Sequence, residues 1–254
     1  MKKIVIGNWK LNLDHLEAIQ LLQKLNYTIE EDKEEKIDIV VSPSHTSLRS
    51  IQTIIDTDKL NIKLSAQDVS QFNEGAYTGE VSSQQLSKLN VKYCIVGHSE
   101  RRTEFDESDE TINKKIHNLI DKDITPVICF GETLEQRNSN KYLEHITSQI
   151  DSAVKGLRKD KVDNLVFAYE PIWAIGTGEV ASIIDVVEVI SMVKENVSEK
   201  SFYNNEKIRF IYGGSLTPDN AGEILNSKII DGALVGGSSL DVDKFVTIVN
   251  SINL

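Results

Sequence analysis

The chain has 254 residues, 40% hydrophobic and 26% charged, an ordinary globular composition and a length that suits one α/β barrel. Its 28 basic and 39 acidic residues give a formal net charge of −11, which argues against general nucleic-acid binding, where lysine and arginine must displace counterions from phosphates. Four prolines and fourteen glycines leave little for long linkers, and no run approaches the roughly 18 apolar residues of a membrane span.

The start, "MKKIVIGNWKLN", has a basic opening like that of a signal peptide, but its apolar run stops at Gly7, too short for the hydrophobic region. "KIVIGN" (3–8) reads instead as a first strand. "HLEAIQLLQKLNYTIEED" (15–32) then reads as a helix with Leu16, Ile19, Leu22 and Leu25 along one face. Strand candidates follow at "IDIVVS" (37–42), "NIKLSAQ" (61–67) and "VKYCIVG" (91–97). Before the last of these, "SSQQLSKL" opens with a capping box, Ser82 with Gln85 three residues on. Further strands are expected at "ITPVICF" (124–130), "NLVFAYE" (164–170), "KIRFIYGG" (207–214) and "IIDGALVGG" (229–237). Helices are expected at "SIIDVVEVISMVKENV", at "LTPDNAGEIL" with Thr217 as N-cap and Pro218 at the first helical position, and at "LDVDKFVTIVNSI".

Each strand is short and mostly apolar, as expected of parallel strands buried on both faces. Eight of them alternating with helices predict a (β/α)8 barrel of the TIM-barrel class, one domain over residues 1–254. The alternative is a doubly wound sheet, but "NWKLN" after the first strand is no dinucleotide fingerprint. Cys94 and Cys129 sit in apolar stretches, make no metal or disulfide pattern, and read as reduced core residues of a cytoplasmic protein. The connection 67–81, "QDVSQFNEGAYTGEV", is long for its place and has no helical period; such loops commonly serve function or bind a partner.

In such a barrel the chemistry sits where the strands end. Asn8 and Lys10 follow the first strand, His98 the fourth and Glu170 the sixth; Gly213, Gly214 and Ser215 follow the seventh, Gly236 and Gly237 the eighth. Taken singly, each has an ordinary structural reading: a solvated lysine, a hydrogen-bonded histidine, an ion-paired glutamate, turn glycines. Taken jointly, they place one carboxylate, one imidazole, one cation and two glycine-rich anion nests at one end. Glycine lets backbone N–H groups approach an anion, and the following helix N-termini favour it. A phosphorylated small molecule and proton transfer beside a carbonyl are therefore expected, with no metal and no cofactor, since no ligand spacing or cofactor motif occurs.

"NWKLN", "VGHSERR", "AYEPIWAIGTG", "YGGS" and "LVGGSSL" resemble the triosephosphate isomerase family in order and spacing along residues 1–254. The resemblance implies interconversion of dihydroxyacetone phosphate and D-glyceraldehyde 3-phosphate, in glycolysis and gluconeogenesis, without cofactor or metal. It implies that Glu170 is the base and His98 the electrophile, with Lys10 and Asn8 stabilising the enediolate. In the family itself the known arrangement is a glutamate base beside a neutral histidine at a helix N-terminus; here that helix would begin at "SERR". The resemblance further implies that Gly176, Ser215, Gly236 and Gly237 donate backbone N–H groups to the phosphate, and that Glu100 is a buried carboxylate near the lysine. Residues 171–178 (Pro171, Ile172, Trp173, Ala174, Ile175, Gly176, Thr177, Gly178) would form a lid. Pro171 and Trp173 would hinge it at one end and Thr177 and Gly178 at the other, with Ile175 near its tip. Loop 67–81 would insert into the partner of a homodimer, its Thr78 supporting the partner's Asn8 or Lys10.

Three positions depart from the family pattern. Glu179 stands where a basic residue is usual, Ser238 where alanine is commoner, and Tyr77 where phenylalanine is frequent. None removes a catalytic group. The competing readings are another phosphate-binding barrel, such as a sugar-phosphate epimerase, and a non-catalytic binding barrel.

Overall fold

The structure, a computed structural model, describes residues 1–139, 141–162, 164–174, 181–204 and 206–253. Eight parallel strands close into a barrel in chain order: β1 (Lys3–Asn8), β2 (Ile37–Ser42), β3 (Lys63–Ala66), β4 (Tyr93–Val96), β5 (Thr125–Phe130), β6 (Leu165–Tyr169), β7 (Ile208–Tyr212) and β8 (Gly232–Val235). Closure comes from β1 against β8, with Ile4 opposite Gly232 and Gly7 opposite Val235. All eight expected strands are present, and the closed barrel excludes the doubly wound alternative.

Alternation along each strand divides the core into two layers. Ile4, Ile6, Val40, Ile95, Val127, Val166 and Ile211 fill the barrel interior. Their neighbours Val5, Ile39, Val41, Phe167 and Phe210 face the surrounding helices. Successive strand side chains point to opposite faces, so a strand buried on both faces must be apolar at every position. Each buried aliphatic or aromatic side chain contributes about 1.5–3 kcal/mol relative to exposure.

The helix expected over 15–32 is shorter. It runs His15–Thr28, capped by Asp14 in a capping box with Glu17, and stops where Ile29 takes an extended conformation (φ −76°, ψ 129°). The acidic stretch after it forms a separate helix, Glu31–Lys36. The buried face is Ala18, Leu21, Leu22 and Leu25, while Leu16 is 57% exposed. The capping box at Ser82, Thr217 as the N-cap and the proline at the start of the helix Pro218–Leu225 are as the sequence predicts. Cys94 and Cys129 are buried free thiols, both pushed up by burial.

The N-terminal end of the barrel holds a polar cluster. Asp38 accepts from Lys63 (2.7 Å) and from the Arg209 guanidinium (2.7 Å), which also donates to the Tyr93 hydroxyl (2.9 Å). Burial alone would raise the Asp38 carboxyl, but the hydrogen bonds from Lys63 and Arg209 outweigh it and hold the group below its ordinary value. A depressed folded pKa adds stability that is complete above the unfolded value of about 3.9 and is lost as pH falls through the folded one. The urea-midpoint difference between wild type and Asp38→Asn is therefore expected to be large at pH 7 and to shrink below about pH 4. An equal difference at pH 7 and pH 3 would contradict the ion pairing.

Candidate active site at the C-terminal mouth of the barrel

The C-terminal ends of the strands surround a cleft of about 590 Å³ lined by Asn8, Lys10, His98, Glu100, Ile172, Ser215, Gly236, Gly237 and Ser238, among others. It thus collects residues from the ends of β1, β4, β6, β7 and β8. The chain carries a strong net negative charge, but the cleft contains the Lys10 ammonium and two glycine-bearing turns.

Lys10 sits in the left-handed region at φ +50°, uncommon for a residue with a side chain. Three hydrogen bonds hold this turn. Its N–H donates to Asn8 Oδ1 (3.0 Å), and Gln67 Nε2 donates to the Lys10 and Ser42 carbonyls (2.9 Å each). Trp9, fully buried, anchors the turn on one side, and Leu11, almost fully exposed, points away. Lys10 Nζ meets Glu100 Oε1 at 2.5 Å. Glu100 is not the buried carboxylate expected from the resemblance: it is the second residue of the helix Ser99–Glu104, at the rim, and its side chain is half exposed.

His98 caps that helix. Its Nδ1 accepts from the Glu100 N–H (3.3 Å). A nitrogen that accepts leaves Nε2 as the ring's donor. His98 Nε2 lies 3.1 Å from Glu170 Oε1, and both side chains are buried, at 7% and 1% residue exposure. Glu170 Oε1 makes no hydrogen bond among the described residues, while Oε2 accepts from the Ser99 N–H (2.8 Å). The carboxylate is thus turned toward the start of the helix and stands beside the cleft, not among the groups that line it.

Glycines make this position possible. Gly131, just after β5, lies so close that an added Cβ would overlap the Glu170 carbonyl oxygen and stand 2.7 Å from its carbon. At Gly213 a Cβ would come within 3.1 Å of Glu170 Cγ. Neither requirement is visible in the spacing of the sequence, although "FGE" directly after the fifth strand marks the right end of the barrel.

Glu132, fully buried, is a second residue that sequence reasoning missed. Its Oε1 accepts from the Tyr169 hydroxyl (2.9 Å), the Trp173 indole (2.9 Å) and Arg137 (3.2 Å). Burial and the Glu132 carboxylate both push the Tyr169 hydroxyl upward. Pro171 and the short helix Ile172–Ala174 follow the strand, and Glu132 pins this segment through Trp173 and through its carbonyl, which accepts from the Ile172 N–H (3.1 Å). Trp173→Phe removes one donor from a buried carboxylate and is expected to cost about 2 kcal/mol in urea unfolding; an unchanged midpoint would show that the indole bond contributes nothing.

Ile175, Gly176, Thr177, Gly178 and Glu179 lie outside the described residues. Ser215 hydrogen-bonds the Ala174 carbonyl (3.3 Å), and the Ser238 hydroxyl donates to the Leu216 carbonyl (2.8 Å). Thr78 is not in the cleft. It is exposed in loop 67–81, which is closed at its base by the Ser70 N–H to Val81 carbonyl bond (2.8 Å). The Phe72 and Tyr77 rings stack in that loop, 3.6 Å apart and 4° from parallel. Among the described residues no cluster of metal-ligating side chains occurs, and no helix is long and apolar enough to cross a membrane.

Fold and mouth together define a (β/α)8-barrel enzyme whose functional groups stand at the C-terminal ends of its strands. The family model described as triosephosphate isomerase matches residues 3–252, and the chain belongs to that family of isomerases. A triosephosphate isomerase of Saccharopolyspora erythraea is 45% identical over 245 residues, covering 95% of this chain and 93% of the relative. One from Mycolicibacterium paratuberculosis is 43% identical over 248 residues, covering 97% and 95%. The crystal structure of triosephosphate isomerase from Bartonella henselae superposes with a TM-score of 0.85 at 31% identity, covering 99% of both chains.

Proposed function

We propose that the chain, as one barrel domain, interconverts dihydroxyacetone phosphate and D-glyceraldehyde 3-phosphate through an enediolate. The observation that carries this reading is the buried Glu170–His98 pair, 3.1 Å apart, beside a cleft that holds Lys10 and the glycine turns. The Glu170 carboxylate leaves the Ser99 N–H, turns into the cleft and takes a proton from C1 of the ketose. Electrons move to the carbonyl oxygen at C2, where the His98 Nε2–H donates and the Lys10 ammonium, with Asn8 beside it, stabilises the developing charge. Protons pass between the two oxygens by way of His98. Protonated Glu170 then returns its proton to C2, which yields the aldose and restores the carboxylate. No electrons leave the substrate, so the cycle balances without an external oxidant or reductant.

The phosphate is held by backbone N–H groups of Ser215, Gly236 and Gly237, close to the first turn of the helix Pro218–Leu225. Residues 171–178 act as a lid, with Gly176 as a further donor to the phosphate. A dry site protects the enediolate, which in water would lose its phosphate. A second part of the proposal is assembly: loop 67–81 docks into the mouth of a second copy in a homodimer, where Thr78 braces the partner's Asn8 or Lys10. The partly exposed Phe72–Tyr77 stack supports this, since aromatic surface on a projecting loop is characteristic of protein–protein contacts. The two buried free thiols support a reducing compartment, the cytoplasm.

A coupled assay of triose-phosphate turnover, run together with sedimentation, tests both parts. Turnover by a dimer is expected. No turnover by folded protein would contradict the catalytic reading in favour of an epimerase-type or non-catalytic barrel, and a monomer with full activity would contradict the assembly.

A further inference from the structure

The anion end of the cleft is formed by two loops that follow the two strands with the shortest registered ladder of the barrel. Strands β7 and β8 share a single registered pair, Tyr212 opposite Ala233, whereas β1 and β2 share six. Past that pair the loops 213–217 and 236–240 run to the cleft, and the Ser238 hydroxyl bridges them by donating to the Leu216 carbonyl at 2.8 Å. The same Leu216–Thr217 peptide is fixed from its other end, where the Thr217 N–H donates to Asn220 Oδ1 (2.8 Å). The neighbouring Ser215–Leu216 peptide is fixed by Asn220 Nδ2, which donates to the Ser215 carbonyl (3.1 Å).

Serine hydroxyls brace the flanking loops as well. Ser239 Oγ donates to the Gly236 carbonyl (2.7 Å) and reaches the Asn8 carbonyl (3.4 Å), while Ser215 Oγ reaches the Ala174 carbonyl (3.3 Å). The bond to Gly236 stays within the loop after β8, and the other two join neighbouring strand ends, β8 to β1 and β7 to β6. The Ser238 brace spans the join with the thinnest ladder, and Ser238 itself lines the cleft.

We propose that Ser238 is a positioning residue for the phosphate end of the substrate. Its hydroxyl fixes the spacing between the loops after β7 and β8, so that their N–H groups converge on one anion. It also occupies a lone pair of the Leu216 carbonyl, whose negative end would otherwise repel the anion. The serine thus acts through the backbone of the neighbouring loop and not as a ligand. This rests on the reading of the cleft as a phosphate site.

The test compares wild type with Ser238→Ala and Ser238→Thr. Two quantities are read: KM and kcat for dihydroxyacetone phosphate, and the dissociation constant of inorganic phosphate by titration calorimetry. One hydrogen bond sets the scale, so Ser238→Ala is expected to raise both KM and the phosphate dissociation constant by about three- to tenfold. In the same variant kcat falls by a smaller factor than KM rises, and Ser238→Thr, which keeps the hydroxyl, restores phosphate affinity to within about twofold of wild type. Wild type that binds phosphate, with Ser238→Ala binding it equally well, overturns the proposal alone. A wild-type protein that binds no phosphate overturns the phosphate reading of the cleft, and the proposal with it.

Discussion

Glu170→Asp is expected to lower kcat by about 100-fold or more while the protein stays folded. The backbone of Glu170 is fixed where β6 ends: its N–H donates to the Phe130 carbonyl (2.8 Å), and the preceding carbonyl of Tyr169 accepts from Gly213 (2.7 Å). Shortening the side chain by one methylene therefore withdraws the carboxylate and leaves the main chain in place. A base misplaced by about 1 Å loses about two orders of magnitude, because proton transfer needs hydrogen-bond distance to the reacting carbon. The stability loss is on the order of 1 kcal/mol for the methylene and its contacts. Coupled turnover together with a thermal melt gives both quantities. A wild-type rate would show that the base is another group.

Gly131→Ala is expected to combine a comparable loss of activity with a stability loss of more than about 3 kcal/mol. A Cβ there overlaps the Glu170 carbonyl, and neither side can retreat easily. The Gly131 N–H is held by Gln149 Oε1 (3.0 Å) from the helix behind, and Glu170 is part of the β5–β6 join through Phe130. Overpacking against a flexible side chain is absorbed by a rotamer change, but overpacking against backbone has to move a strand end. The strand end in question carries the base. The helical Gly222, where an added Cβ meets nothing within 4 Å, is the control, and Gly222→Ala should stabilise by about 0.5–1 kcal/mol. Equal behaviour of the two variants in urea unfolding and turnover would contradict the wedge.

The eight strands are legible in the sequence because a parallel strand buried on both faces leaves an unbroken apolar run, as in "IDIVVS" and "PVICF". The strand ends are legible for the same reason, and they bring Asn8, Lys10, His98, Ser215, Gly236 and Gly237 to one cleft. Helix periodicity is a weaker guide. It places Leu16 on the same stripe as Leu22, but the buried face is Ala18, Leu21, Leu22 and Leu25, and at about 100° per residue Leu16 falls well off that face and is exposed. Buried charges are the least legible. Asp38 meets Arg209 across 171 residues of chain, and Glu132 gains its meaning only when Arg137, Tyr169 and Trp173 close around it. The conformation of Glu170 is equally hidden. Sequence gives a carboxylate at the mouth, and only the geometry places it on the Ser99 N–H, beside the cleft. Ser238 is visible in sequence as an added hydroxyl, while its partner Leu216 is not.

The central claim is that one carboxylate moves a proton between adjacent carbons of a triose phosphate. The most direct test is turnover of dihydroxyacetone phosphate in D₂O, followed by proton NMR of the product, for wild type and Glu170→Gln. A carboxylic acid formed during the reaction exchanges with solvent before it returns its proton. Deuterium is therefore expected at C2 of the glyceraldehyde 3-phosphate made by wild type, and Glu170→Gln should form almost no product. Rapid turnover with no deuterium at C2 would point to direct hydride transfer, and labelled product from Glu170→Gln at the wild-type rate would assign the proton to a different base; either result contradicts the account.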